Sequence, residues 1–270
     1  MLSTRIISAI VAILIIVPVL IWGGVLGVAA LVGFLTSLGV WELANKLTAA
    51  RTSPSRELIV GLNIVAVAAL SCLPLGAVPA VVVGTPLIIL FIHLLLFNVV
   101  RDTIDSVSQS TFIIAYVTIP LSHAILLERL TNGPAWIFFV LVVTCLGDAG
   151  AYFAGKYFGK HRFSSNVSPK KTLEGLLGGL AGNVAGMLIM KLFCWELASL
   201  WLLLQITLLL AVLGPLGDLS ASAIKRKLSI KDFGSIMPGH GGLLDRADSL
   251  IPSLPAVYYF VALSVPTVSQ

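Results

Sequence analysis

Hydrophobic positions in this chain fall in long unbroken blocks, with neither the period-two alternation of a half-buried strand nor the one-sided stripe of a soluble helix. The blocks run approximately over 6–22, 25–43, 58–75, 78–100, 112–127, 136–158, 173–193, 197–219 and 250–268. Each approaches the ~20 residues that an α-helix needs to cross a bilayer. Transmembrane β-strands would show as weaker segments of about ten alternating residues. The pattern therefore predicts an all-α polytopic membrane protein of about nine spans, since lipid requires each spanning segment to satisfy its own backbone hydrogen bonds. The first block follows a single basic residue, Arg5, as a signal peptide would. No small-residue cleavage site follows it and the next block starts at once, so a retained helix is expected.

Composition agrees with this reading. The 270 residues are 58% hydrophobic and only 11% charged, with a mean hydropathy of +1.04, which excludes an ordinary soluble domain. Cys72, Cys145 and Cys194 are far apart, with no CxxC pair and no histidine at ligand spacing, so neither a disulfide nor a zinc site is expected. Charge adds orientation. With nine spans, all of the 17 Lys and Arg except Arg129 and Lys191 fall on one side. The positive-inside rule makes that side cytoplasmic, together with the N-terminus. An inner (plasma) membrane location is expected, and no nucleic-acid partner.

Polar residues are sparse up to about residue 147, and after it come two long basic loops at 159–172 and 220–249. The chain thus reads as an N-terminal scaffold of about five helices, 1–135, and a C-terminal half, 136–270, that carries the chemistry. No internal repeat supports an inverted-repeat transporter.

The first polar island is LGDAGAYFAGKYFGKHRFSSNVSPKKTLEG, 146–175. Asp148 follows the uncharged run 137–145 inside a spanning segment. An ionisable group at such depth is costly and usually lines a polar cavity, although a carboxyl bonded to a neighbouring helix would serve structure alone. Lys170 and Lys171 precede a helix N-terminus, where free N–H groups favour an anion, or else they are an ordinary basic flank. In the helix that follows, Gly175, Gly178, Gly179, Gly182 and Gly186 form overlapping GxxxG steps, a packing face for a neighbouring helix or for a homodimer.

The second island runs from Asp218 to Asp248. If the helix continues past Gly214-Pro215, then Ser222 and Lys225 share a face with Asp218. The stretch KDFGSIMPGHGGLLDRAD, 231–248, contains Lys231, Asp232, Gly239, Gly241, Gly242, Arg246 and two acids, Asp245 and Asp248, three apart. Either acid can also cap the helix that follows. The glycines let backbone N–H groups approach an anion. His240 can donate to a phosphate or serve as an acid, or it is simply a polar loop residue. Hard carboxylate oxygens suit Mg²⁺ completed by substrate phosphates, and the Lys and Arg would hold the remaining phosphate charge. A basic surface for anionic lipid alone would need no aspartates.

The run SAIKRKLSIKDFGSIMPGHGGLLDRAD, 222–248, resembles the signature of the phosphatidate cytidylyltransferases, or CDP-diacylglycerol synthases. Ser222, Lys225-Arg226, Lys231-Asp232, Gly234, the PGHGG run and Asp245-Arg246-x-Asp248 all stand in register. GDAGAYFAGKYFGKHR and SPKKTLEG are also similar. The resemblance covers roughly the last 125 residues, and the first half matches in hydropathy only. Met237 and Ala247 stand where a bulkier or branched apolar residue is usual, which bears on packing.

The resemblance implies a reaction of CTP with phosphatidic acid in the bilayer that gives CDP-diacylglycerol and pyrophosphate. It also implies Mg²⁺, as one or two divalent cations with or without a monovalent companion. Asp218 and Asp245 are expected as metal ligands, with Asp248 and Asp148 as further ligands or orienting groups. Lys225, Arg226, Lys231 and Arg246 would clamp phosphates from one loop, Lys170 and Lys171 from the other, with Ser222, His240, Gly239, Gly241 and Gly242 nearby. The rivals are a CTP-dependent polyprenol kinase, which would release CDP instead, and an anionic-solute transporter, which would need polar midplane residues in both halves.

Overall fold

A computed structural model describes residues 2–47, 56–73, 78–97, 103–162, 167–194, 196–234 and 241–264. Among these the chain is helical and has no β-strand. The helices are α1 (Leu2–Trp22), α2 (Gly24–Leu47), α3 (Arg56–Cys72), α4 (Val78–Phe97), α5 (Thr103–Ile113), α6 (Ile119–Glu128), α7 (Gly133–Phe158), α8 (Leu173–Phe193), α9 (Leu200–Lys227), the single turn α10 (Leu244–Ala247) and α11 (Leu250–Ser264). A π-helical turn, Ile114–Thr118, joins α5 to α6. Six described helices are long and apolar enough to cross a membrane, and α1 and α11 contribute shorter apolar stretches. Large apolar side chains such as Leu26, Leu95, Leu192 and Trp201 are exposed on these helices, as lipid-facing positions should be. The protein is an all-α polytopic membrane protein.

Most element bounds follow the apolar blocks. The break between α1 and α2 is real, with Gly24 in the left-handed region at φ +54°, where glycine carries no steric penalty. Two elements exceed their blocks. The fifth span starts at Thr103 rather than near 112, and α9 runs on to Lys227 rather than ending near 219.

The chain divides into two compact units, 1–126 with 232–246, and 127–231 with 247–270. The glycine-rich loop that the sequence places with the C-terminal half thus belongs to the first unit by its contacts. Within that unit Val40, Leu43, Ile59, Ile113 and Ile114 are fully enclosed. A polar ladder crosses the same core: the Asn63 amide donates to Ser37 Oγ at 2.9 Å and accepts the Thr118 hydroxyl at 2.7 Å. Buried polar groups carry no net penalty when paired in this way.

In the second unit α7 packs on α8 through their small residues. A side chain at Gly150 would strike the Gly178 backbone, one at Gly182 would strike the Leu146 carbonyl, and one at Gly186 would lie 2.9 Å from Val143 Cα. The GxxxG face of α8 is therefore occupied by α7 within the same chain. The described residues at the two ends of the connection between these helices are bonded to each other. Leu173 N–H donates to the His161 carbonyl at 2.8 Å, and Glu174 accepts the Lys160 and His161 N–H groups and the His161 ring at 2.6 Å. Thr172 caps α8 by accepting Gly175 N–H at 3.1 Å. Lys170 and Lys171 directly precede this bonded start of α8.

Candidate active site

Pro215 does not end α9, and the helix carries Asp218, Ser222 and Lys225 along one side. The Ser222 hydroxyl donates to Asp218 Oδ1 at 3.4 Å, as one helical turn allows. The other Asp218 oxygen receives the Lys171 ammonium at 2.9 Å, and Lys171 also donates to the Pro215 carbonyl at 2.9 Å. The lysine that sequence spacing directs at a phosphate is therefore seated on the carboxylate.

Gly217 brings the next acid into place. A Cβ there would strike the Asp248 carbonyl oxygen and lie 2.9 Å from Pro252 Cδ, so its absence lets the turn before α11 rest on α9 beside Asp218. Asp248 Oδ1 accepts the N–H of the next residue, Ser249, at 2.8 Å, one residue short of the bond by which a side chain caps a helix. The Ser249 hydroxyl reaches Asp148 on α7 at 3.3 Å. Asp148, Asp218 and Asp248 are thus gathered within one unit, and the first and last share a serine.

Asp248 lies between α10 and α11, outside the spans. Its carboxyl is pushed up to about 7, first by burial and then by the charge of Asp218 and, less strongly, of Asp148; Ser249 N–H and the Lys225 ammonium oppose the shift. The folded state thus holds this proton more tightly than the unfolded chain. The stability it contributes is fully present below the ordinary value of 3.8 and is lost as pH rises through about 7. Thermal unfolding of metal-free protein should accordingly show Asp248→Asn gaining on the wild type as pH is raised from 4 to 8. A constant difference across that range would contradict the crowding of these acids.

An open cavity of ≈ 610 Å³ is lined by Val167, Ser168, Ser222, Lys225, Arg226, Ser229, Ile230 and Lys231. Lys170 is exposed beside Lys171. The sequence-predicted Ser222, Lys225, Arg226 and Lys231 thus line one basic concavity.

Asp245 lies in the first unit. Its Oδ2 accepts Phe233 N–H at 2.9 Å and Gly242 N–H at 3.1 Å, closing the glycine-rich loop on itself. Gly241 has φ +84° and faces Asp245 and Asp232. Arg246 and Asp232 are exposed. Gly239 and His240 lie outside the described residues.

A further buried acid lies outside every motif of the sequence. Glu42 on α2 is 3% exposed, and its carboxylate accepts Leu243 N–H at 3.0 Å and Leu244 N–H at 3.2 Å. An acid in a spanning helix is the same signal that singled out Asp148, but its place near the basic end of its block reads as a solvated flank.

The acids of the second unit fit a hard divalent cation in chemistry, because crowded carboxylates such as Asp218 and Asp248 are relieved by positive charge. Among the described residues no three acidic, histidine or cysteine side chains converge into a ready-made ligand shell.

The whole chain, not only its last 125 residues, has relatives. Residues 3–264 match the profile of the Cytidylyltransferase family. A phosphatidate cytidylyltransferase of Staphylococcus saprophyticus is 45% identical over 142 residues, 53% of this chain and 54% of that relative. Those of Staphylococcus epidermidis and Staphylococcus aureus are 34% identical over 259 residues and 33% over 257, each covering 94% of this chain and 96% of the relative. The similarity of the N-terminal half therefore exceeds hydropathy, which corrects the narrower reading from the motifs. The chain belongs to the cytidylyltransferase family, and it is a nucleotidyl-transferring enzyme built into a membrane.

Proposed function

We propose that the protein transfers the cytidylyl group of CTP to phosphatidic acid, giving CDP-diacylglycerol and pyrophosphate for phospholipid synthesis. The carrying observation is that Ser222 belongs to two features at once: it bonds Asp218 in the acid cluster and lines the basic cavity. An acid cluster and a basic wall therefore meet at Ser222. The names of the Staphylococcus relatives supply the substrates.

Asp218 and Asp248 would hold Mg²⁺, with Asp148 behind them through Ser249. Asp245 joins them on the strength of the signature alone. When bound, Mg²⁺ supplies charge neutralisation to the triphosphate oxygens. Lys225, Arg226 and Lys231 would hold phosphate oxygens in the cavity, where fixed positive charge offsets the charge that grows as the leaving group departs. A phosphate oxygen of the lipid attacks the α-phosphorus of CTP. The α–β P–O bond breaks and its electron pair leaves with pyrophosphate. No strong base is required, because the nucleophile is already an anion. Lys171, seated on Asp218, would keep that carboxylate aimed. The cytoplasmic face of the inner membrane is the proposed side for these groups, from the distribution of Lys and Arg.

Purified protein in detergent, given CTP, phosphatidate and Mg²⁺, should release pyrophosphate only when the lipid is present. Release of CDP instead would identify a kinase, and no lipid-dependent release of either would end the proposal.

A further inference from the structure

Glu42 is buried in the first half of the chain, far in sequence from every motif, yet it touches the glycine-rich loop directly. Burying a carboxylate is costly unless hydrogen bonds satisfy it. Here the donors are Leu243 N–H and Leu244 N–H, one to each oxygen. These amides open the turn α10 and would otherwise be orphaned by it. Two loop glycines make room for the carboxylate: a Cβ on Gly242 would lie 2.6 Å from Glu42 Oε2, and one on Gly234 would lie 2.5 Å from its Cδ. The approach these glycines permit is therefore that of the protein's own acid. One turn earlier on α2, Gly39 admits the Leu244 side chain, whose Cδ2 would stand 2.9 Å from a Cβ there. α2 thus grips the loop by its backbone and by a side chain. Asp245 follows Leu244 immediately and closes the same loop through Phe233 and Gly242.

We infer that Glu42 is a positioning residue for nucleotidyl transfer, fixing the backbone of the glycine-rich loop and with it the setting of Asp245. The inference rests on the proposed function. It gives the N-terminal half a part in the reaction that its bare sequence does not show. Glu42 touches backbone, not substrate, and so its removal should change turnover and metal dependence more than CTP binding in the α9 cavity.

The test compares wild type, Glu42→Gln and Glu42→Ala in detergent, measuring lipid-dependent pyrophosphate release while CTP and Mg²⁺ are titrated. Glu42→Gln presents an amide NH₂ to one of the two N–H groups, so one bond is lost and kcat should fall roughly tenfold. Glu42→Ala loses both, and kcat should fall by about a hundredfold. In each variant the KM for CTP should change little, while the half-saturating Mg²⁺ concentration rises. Hydrogen exchange of the 241–246 amides should quicken in Glu42→Gln and stay unchanged in Asp218→Asn. Wild-type kcat and Mg²⁺ dependence in folded Glu42→Gln would overturn the inference, and that variant decides if Glu42→Ala does not fold. Wild-type protein without lipid-dependent release would overturn the proposed function, and this inference with it.

Discussion

Asp218→Asn is expected to lower turnover by on the order of 10²–10³-fold, the size of effect seen when one preorganised electrostatic group is removed from a reacting centre. The substitution keeps volume and keeps an oxygen for Ser222, so folding and membrane insertion should be retained. What it removes is the charge that faces Lys171 at 2.9 Å and that crowds Asp248. Two consequences separate loss of a metal ligand from general damage. The defect should persist at saturating Mg²⁺, and the Asp248 carboxyl should fall back toward its ordinary value once its nearest like charge is gone. Steady-state rates over a Mg²⁺ titration check the first. Near-normal rates at high Mg²⁺ would show that Asp218 is not a ligand.

Gly217→Val should be almost as damaging, by geometry alone. A side chain at 217 meets the Asp248 carbonyl and Pro252, so the turn before α11 must lift off α9 and take Asp248 away from Asp218. Overpacking of this kind costs about 1–3 kcal/mol in stability, and the displacement should cost activity by roughly a hundredfold, as misplacement by an ångström can. Gly214→Ala is the control on the same helix, because a Cβ there would lie 3.9 Å from Ser249 Cβ, an ordinary contact. Parallel measurements of thermal unfolding and of lipid-dependent turnover on the two variants check this. Equal activities would mean that the closeness of α9 to the turn does not matter for the reaction.

The helical frame was legible because lipid demands long apolar blocks, and every block became a helix. Its errors fall where polar residues sit inside helices. Residues 103–111 fall outside the apolar blocks, but Ser106 and Ser110 are buried and Ser110 donates back to the Ser106 carbonyl at 2.8 Å. A hydroxyl satisfied within its own helix is compatible with a span. The polar end of α9 was readable as a conditional: if the helix passed Pro215, then Asp218, Ser222 and Lys225 shared a face, and it does pass.

The site was legible in kind and only partly in arrangement. Asp148, Asp218 and Asp248 each signalled by being acids in apolar surroundings. The serine that joins Asp148 to the turn, the glycine that brings the turn to α9, and the seating of Lys171 on Asp218 are pairings across long stretches of chain, for which no local pattern exists. Glu42 is the extreme case, since its partners Leu243 and Leu244 stand two hundred positions away. It was findable only by asking of every charge in a spanning helix what satisfies it.

The central claim is that a nucleotidyl group, not a phosphoryl group, passes to an anionic lipid at the Asp218 cluster. The most direct measurement uses CTP carrying label at the α-phosphorus in one sample and at the γ-phosphorus in another, with phosphatidate, Mg²⁺ and purified protein, followed by extraction of the lipid. The account predicts α-label in the lipid and γ-label in pyrophosphate, with both transfers lost in Asp218→Asn. Label from the γ-phosphorus in the lipid, or α-label transferred equally well by Asp218→Asn, would contradict it.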